Sequence, residues 1–534
     1  MKLRTSFFEP AVLKKDIGRF APVWGLYSVY LILSLLVLVS EGTTDTIANL
    51  TSAAPALQLI YGGICAIMLF GDLFNPRLCN AQHALPMTRD RWFYTHLTAG
   101  MLFFLVPTGS FALAAGLLSW HSWFLAAMYF AVHLMLFLFF FGLGAFCAMC
   151  AGNRLGMAVL YCILNFLSVL AYCVTQVFYE PFLYGLRLDA GDFSLFSPVI
   201  WLANARFIDV IGHSVTFSGA EYWIYLGVTT LCGLIFLVLA LLTYRRRNLE
   251  SAGDFIAAAW VRPVFLGIWC LSIGMLFYLI GEAFDVLQYV FLLAGLAVGF
   301  FTGRMLLQRT VRVFKAKAFL VFGGMILILA LSMGAMALDL FGIVHRVPEE
   351  RRIQAVEIQD DYGSYPVMLE DADDIALMRQ MHLSCLEKGY EESLGTNRVR
   401  VSLTYHLKGG GEFSRYYSIP WESPYTEALR GHFSTWECVT GTESPEALLA
   451  QMEYAMVSTL DEKQTMVDID LLLEAMYLDC QAGTMAQDDR FHEDTGNIWV
   501  EFAIIDSLYS DLHRYVYITI YEDCRHTMAF LEGL

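Results

Sequence analysis

No stretch of this sequence reads G-x-x-x-x-G-K-[ST], H-E-x-x-H or G-x-S-x-G. Those patterns place a phosphate cradle, a zinc-held water and a serine nucleophile. Their absence excludes P-loop ATP hydrolysis, zinc peptidase chemistry and nucleophile-elbow hydrolysis by this chain, and neither enzyme activity nor a cofactor is expected of it. Charge is scarce as well: Asp, Glu, Lys and Arg make up 16% of 534 residues against 57% hydrophobic. That balance is too apolar for a soluble protein and suits membrane helices. Residues 1–20 lack a small-residue cleavage site, so no removable signal peptide is expected. The apolar runs hold few ionisable residues at mid-depth and no inverted repeat, which argues against an ion-driven carrier. His133 is the main exception. It reads either as a proton relay or, more commonly, as a histidine bonded to a neighbouring helix.

The charge that is present is unevenly placed. Residues 1–345 hold 20 of the 34 Lys and Arg and 16 of the 51 acids, a net of +4, whereas residues 346–534 carry a net of −21. An acidic tail repels phosphates, so no nucleic-acid partner is expected. Nine runs of about 20 apolar residues are candidate membrane spans, at 21–40, 54–73, 95–118, 122–149, 155–178, 221–244, 262–281, 286–303 and 318–341. With the N-terminus inside, 18 of the 20 basic residues before position 346 fall in cytoplasmic segments, leaving Arg187 and Arg206 outside. This follows the positive-inside rule, and an odd span count then puts the tail outside. Arg346, Arg351 and Arg352 dissent, but five basic residues on the inner flank of the last run outweigh them. The side of the tail also hangs on the hairpin at Glu282–Asp285.

Ahead of the first run, residues 7–20 space Phe7, Phe8, Val12, Leu13, Ile17 and Phe20 at a helical period between Lys14, Lys15 and Arg19, the pattern of an interfacial amphipathic helix. The outer loop 179–220 is the longest in the membrane half and partly apolar, so it is expected to be re-entrant or packed on the bundle. Its Asp189, Asp192 and Asp209 read as solvated carboxylates.

Eight of the twelve cysteines lie in or beside the apolar runs as packing residues. Cys147 and Cys150 form a C-x-x-C with no second pair, so no redox or zinc role is assigned. Cys385, Cys438, Cys480 and Cys524 lie in the tail, where an extracytoplasmic position would permit two disulfides of undetermined pairing. The tail histidines His382, His406, His432, His492, His513 and His526 are scattered singly. Asp488, Asp489, His492, Glu493 and Asp494 read as a solvated acidic loop, and no metal is assigned.

The tail reads as a soluble α+β domain. Strands are expected at Ile353–Ile358, Arg398–Leu407, Glu412–Ile419, Met466–Ile469, Ile498–Ile505 and Arg514–Tyr521. Helices are expected at Asp371–Lys388, Ser444–Val457 and Cys524–Leu531. Gly409-Gly410-Gly411 is a hairpin turn, and Ser444-Pro445-Glu446 an N-cap with proline at N1.

The chain is organised around Asn75–Tyr94, between the second and third runs. This segment holds Arg77, Arg89 and Arg91, with Asp90 as its one acid. Leu85-Pro86 ends the short helix before it, and Thr88 is a candidate N-cap for the next. A positive anchor that sets topology would look similar on charge alone. Read together, however, Asn80, His83, Leu85, Pro86, Thr88 and Arg89 form an N-x(n)-H-x-L-P-x-[ST]-R pattern. It resembles the loop of bacterial ABC-2-type permease subunits that carries the coupling helix. After the sixth run, Arg247, Glu250, Ala252 and Gly253 form R-x-x-E-x-A-G, which resembles the motif at the matching place in that family. The resemblance covers roughly residues 1–345, with three runs beyond the usual six.

The resemblance implies four segments: an interfacial helix (1–20), a six-helix core (21–250), a three-helix addition (251–345) and an extracytoplasmic tail domain (346–534). It implies a multi-pass protein of the bacterial plasma membrane that pairs with a second permease, the same or related, and with a separate ABC ATPase. Arg89 and Arg91 would contact that ATPase, and Leu85-Pro86 would shape the contact. The cargo class would be hydrophobic or peptide-like, with membrane lipids as the surroundings. The reading from a different class is a membrane-anchored sensor or assembly protein whose acidic outer domain binds a ligand. A polytopic membrane enzyme is a third reading, weakened by the missing catalytic cluster.

Overall fold

The computed structural model describes residues 8–532 apart from 42, 119–122, 189, 204, 212–213, 218, 285–286, 362–364, 389–397, 451, 460–463, 488–497 and 506–512. The acidic loop with His492 lies outside the described residues, as do Asp189, Asp285 and the side chains of Asp192, Asp209 and His513. The chain folds as two units. One comprises residues 1–178 and 189–330, the other 179–188 and 331–534.

The first unit is helical. Helix α1 (Pro10–Arg19) is the expected amphipathic segment, started by a proline whose missing amide is no loss in a first turn. Among the described residues, seven unbroken helices are long and apolar enough to cross a membrane. They are α2 (Ala21–Glu41), α6 (Arg89–Leu118), α7 (Trp123–Cys150), α12 (Ala220–Arg246), α13 (Val261–Ala283), α14 (Gln288–Gln308) and α15 (Ala316–Ala337). Two further helix pairs are bent: the second expected span holds only the latter helix of its pair, the former lying outside its bounds, whereas the fifth is itself broken. In the first, α3 (Thr43–Ser52) meets α4 (Ala54–Leu69) at 57°, and in the second α8 (Arg154–Asn165) meets α9 (Leu167–Phe178) at 61°. Counting each pair as one span brings the number up to nine. Pro55 at the start of α4 accounts for the first bend. Between α4 and α6 lie a 3-10 turn, Gly71–Phe74, and the short helix α5 (Pro76–His83).

Helix α7 is the axis of this unit. In lipid no hydrophobic force drives helices together, so close contact depends on small residues. A Cβ on Gly142 would stand 2.4 Å from the carbonyl oxygen of Gly233 in α12, and one on Gly62 in α4 would stand 2.9 Å from the amide of Phe141. Between these contacts Phe137 stacks on Phe104 at 4.5 Å and on Phe141 at 5.2 Å. His133 is fully buried, and its Nδ1 bonds the carbonyl of Tyr129 on its own helix at 2.9 Å, not a neighbouring helix. Helices α13 and α14 form an antiparallel hairpin. Gly299 meets the backbone of Cys270, and Gly274 meets Leu296.

Part of the long loop packs on the bundle, as expected. After α10 (Ala190–Ser194) and α11 (Pro198–Ala203), the chain buries Ala205, Phe207 and Ile208, and Trp201 contacts Tyr222 and Tyr225 of α12. A two-stranded hairpin, β1 (Asp209–Ile211) and β2 (Ser214–Thr216), then leads into α12.

The second unit has two antiparallel sheets, each of four strands. One has the order β4 (Val367–Leu369), β3 (Ile353–Asp360), β5 (Arg398–Leu407), β6 (Glu412–Pro420). The other has the order β10 (His513–Ile520), β9 (Ile498–Ile505), β7 (Met452–Thr459), β8 (Gln464–Met466). Helix α16 (Ala372–Lys388) gives Met378 and Met381 to the first core, beside Val401, Leu403 and Tyr405. Helix α20 (Ile469–Ala482) gives Leu472 and Met476 to the second, beside Val457, Val500 and Phe502. Between the sheets run α17 (Thr426–Phe433), α18 (Trp436–Thr440) and α19 (Pro445–Leu449), and α21 (Arg525–Glu532) ends the described chain.

Two expectations fail here. The helix expected over Ser444–Val457 stops at Leu449, although Ser444 does cap it by accepting from the amide of Ala447 at 3.2 Å. Beyond it the chain becomes β7, because pairing along β9 satisfies its backbone. The strand expected at Met466–Ile469 ends at Met466, and Asp468 instead caps α20. Gly410 and Gly411 take φ of 75° and 112° at the expected hairpin, which only glycine adopts without strain. Among the described residues no cysteine forms a disulfide, and the four in the tail fill the two cores.

Residues 180–188 cover the free edge of β6. The amide of Tyr416 donates to the carbonyl of Gly185 at 2.9 Å, and a Cβ on Gly185 would lie 2.5 Å from the Tyr417 ring. Covering an edge in this way removes a site for unwanted pairing.

Gly233→Leu is expected to force α12 away from α7 and to cost about 1–3 kcal/mol. Gly227→Leu on the same helix, where a Cβ meets nothing within 4 Å, should stay near wild type. Thermal unfolding of the detergent-solubilised chain compares the two.

Candidate coupling site

The segment between α4 and α6 is built from its caps. Asn75 accepts from the amide of Arg77 at 2.9 Å with Pro76 in the first turn, which starts α5. The helix stops at His83, ahead of Leu85-Pro86. Thr88 then accepts from the amide of Arg91 at 3.3 Å, so the expected N-cap starts α6 itself.

His83 turns inward. Its Nδ1 donates to the carbonyl of Cys79 at 2.7 Å, which leaves Nε2 to accept from the Tyr244 hydroxyl at 2.8 Å. Arg89 lies beside it and donates to the carbonyls of Tyr244, Arg245 and Arg247 at 3.1, 3.0 and 2.9 Å. These carbonyls lie at the end of α12, where that of Tyr244 also accepts from the amide of Arg247 at 3.2 Å, and a cation there opposes the negative end of the helix dipole. Asp90 holds Arg245 through two bonds of 2.8 and 2.7 Å, and Arg91 pairs with Glu9 at 2.7 Å.

Arg247 performs the same task for α7. Buried to 7% exposure, it donates to the carbonyls of Ala148 and Met149 at 2.8 and 3.1 Å, and to that of Leu73 at 3.2 Å. One guanidinium thus joins the end of α7 to the turn that leads into α5. Burial holds it below the ordinary guanidinium range, and it still stays charged. Further along, Ala252 is buried and Gly253 takes a φ of 92°, with its amide donating to the carbonyl of Gly152. Its Cβ position lies 3.9 Å from Pro76 of α5. Glu250 is exposed and does not join this cluster.

The two motifs therefore meet. His83 and Arg89 converge on the end of α12, from which Arg247 reaches the end of α7, and Gly253 sits beside the first turn of α5. Asn80, Leu85, Pro86 and Thr88 stand on the exposed rim, together with Arg77 and Leu78. Tyr244 was not singled out in the sequence, yet it touches His83, Arg89 and Trp92. A tyrosine at the apolar border of a span carries no signal of its own, because the membrane interface favours it anywhere. Asp72, Gln82 and Trp92 were missed for the same reason: only folding brings them within hydrogen-bond reach of one another.

In the tail, His382 bonds the Tyr405 hydroxyl at 3.1 Å. Burial, followed by the nearby Arg415 and Arg379, pulls it down to about 4. His406 faces Glu357 at 3.0 Å and His432 faces Asp374 at 3.5 Å. Among the described residues no group of three or more His, Cys, Asp or Glu could hold a metal ion.

Arg247→Met keeps the apolar stem but leaves three carbonyls without their donor. The expected cost is about 2–5 kcal/mol, read as a lowered thermal midpoint in detergent. Arg246→Met, at the exposed neighbouring position, should change it by less than about 0.5 kcal/mol.

Comparison of the chain with protein families, with curated proteins and with solved structures found no match in any of the three.

Proposed function

We propose that this chain is the membrane-spanning permease subunit of an ATP-driven ABC-2-type exporter, coupling a separate ABC ATPase to efflux of a hydrophobic or peptide-like substrate. The observation that carries this reading is the union of the two motifs in one hydrogen-bonded layer at the ends of α7 and α12. A push on the exposed face of α5 reaches α12 through His83 and Arg89, and α7 through Leu73 and Arg247. An interlocked end of this kind converts movement of a docked partner into movement of spanning helices. Because Arg89 and Arg91 are occupied within the chain, the partner meets Arg77, Leu78, Leu85 and Pro86 first. A second permease copy, the same or related, completes the transporter. A lipid-facing groove of about 510 Å³ between α2 and α6, lined by Trp24, Leu31, Phe103 and Phe111, is consistent with an apolar cargo.

The protein sits in the bacterial plasma membrane with its N-terminus inside and its C-terminal domain outside. The distribution of basic residues supports this orientation. So does the packing of residues 179–188 into the same unit as the C-terminal sheets. That segment follows the fifth span, the sheets follow the ninth, and four spans between them return the chain to one face.

Mild-detergent purification of the tagged chain, scanned for a co-purifying protein with a P-loop, tests the reading. Wild type should retain an ATPase, and Leu85→Asp and Arg77→Glu should each lose it at least about tenfold. Retention in both variants would remove α5 as the docking face. A well-folded wild type that brings down no ATPase would overturn the transporter and favour the membrane-anchored sensor.

Orientation has its own test. The four tail cysteines are buried and will not report, so Lys408→Cys in the exposed hairpin serves instead. An impermeant thiol reagent on intact cells should label it, and labelling only after lysis would put the domain inside.

A further inference from the structure

Asp16 lies on the inward face of α1, 3% exposed, and its Oδ2 has no hydrogen-bond partner among the described residues. It faces Nε2 of His96 on α6 at 3.5 Å. His96 is itself 1% exposed, and its Nδ1 lies 2.9 Å from the carbonyl of Trp92. A carbonyl only accepts, so Nδ1 carries the hydrogen, and a neutral imidazole then presents a bare Nε2. A carboxylate oxygen and a bare ring nitrogen are both acceptors. Their burial face to face is unfavourable unless one proton lies between them.

The surrounding charges offer no other remedy. On the same helix, Arg19 is committed to Asp72 through two bonds of 2.9 Å, and Lys15 is exposed. From the turn before α5, Asp72 adds a second negative charge, and on α6 Arg91 is held by Glu9. Burial, then Asp72, push the Asp16 carboxyl up to about 7, while Arg19 and Lys15 pull the other way. The pair is also wired into the candidate coupling site. The His96 ring packs on Trp92 at 4.0 Å, Trp92 donates to Gln82 at 2.6 Å, and Gln82 donates to Asp72, the partner of Arg19.

We propose that Asp16 and His96 form a proton-binding site whose single shared proton fastens α1 to α6 and, through Trp92, Gln82 and Asp72, to the α5 segment. Loss of that proton above neutral pH loosens the amphipathic helix. The sign follows from linkage: a carboxyl raised from 3.8 to about 7 in the folded chain contributes stability that is complete below about pH 4 and is lost as pH rises through 7. The low-dielectric setting favours the neutral pair, a carboxylic acid donating to an imidazole, over the ion pair. The inference stands on these contacts and holds whether or not an ATPase binds the chain.

The test uses the full chain in lipid nanodiscs from about pH 5 to about pH 9, a range that brackets this transition. Infrared difference spectra should show a protonated-carboxyl C=O band that disappears through neutrality and is missing in Asp16→Asn. Over the same range, hydrogen exchange of residues 10–19, corrected for the intrinsic base-catalysed rate, should rise on the order of tenfold in wild type. In Asp16→Asn it should stay low and flat, because the carboxamide donates permanently to Nε2. A wild-type chain with no titrating carboxyl band overturns the inference without any variant. An exchange step that persists unchanged in Asp16→Asn overturns it as well.

Discussion

The free carbonyls at the ends of α7 and α12 are the constraint around which the membrane unit is arranged. A helix leaves its last carbonyls without partners inside the helix, and apolar surroundings cannot supply them. Arg89 answers the end of α12 and Arg247 the end of α7. Each arginine comes from a different segment, so satisfying the backbone also ties those segments together. α5 is positioned as a result, held by His83 on one side and by the Arg247 bond to Leu73 on the other.

Above this layer the bundle relies on close approach. α7 meets α4 and α12 at glycines that allow backbone contact, with phenylalanines filling the space between. Packing of that kind is stiff, because a close-packed interior transmits displacement in place of absorbing it. α15 differs, burying only Ala318.

In the tail, the sequence reading succeeded where local chemistry decided the outcome. The Arg398–Leu407 and Glu412–Pro420 pair follows from alternating side chains around three glycines, two of which take positive φ. It failed over residues 450–469. Met452–Thr459 is rich in Met, Glu and Ala, which favour a helix, but it lies between β9 and β8 and its backbone pairs with both. Propensity is a weak prior, and tertiary pairing overrides it.

By itself, the sequence determined the two-part character of the chain, the approximate placement of its apolar helices, and the caps at Thr88 and Ser444. Each depends on residues within a turn or two, or on composition summed over about 20 residues. The bend at Phe166, the inward orientation of Arg89, the role of Tyr244 and the pairing of Asp16 with His96 were decided only by the tertiary structure. The partners there are separated by 80 residues in one pair and 155 in another. No local pattern encodes such a contact, because burial and hydrogen bonding at these sites are set by which helices pack together.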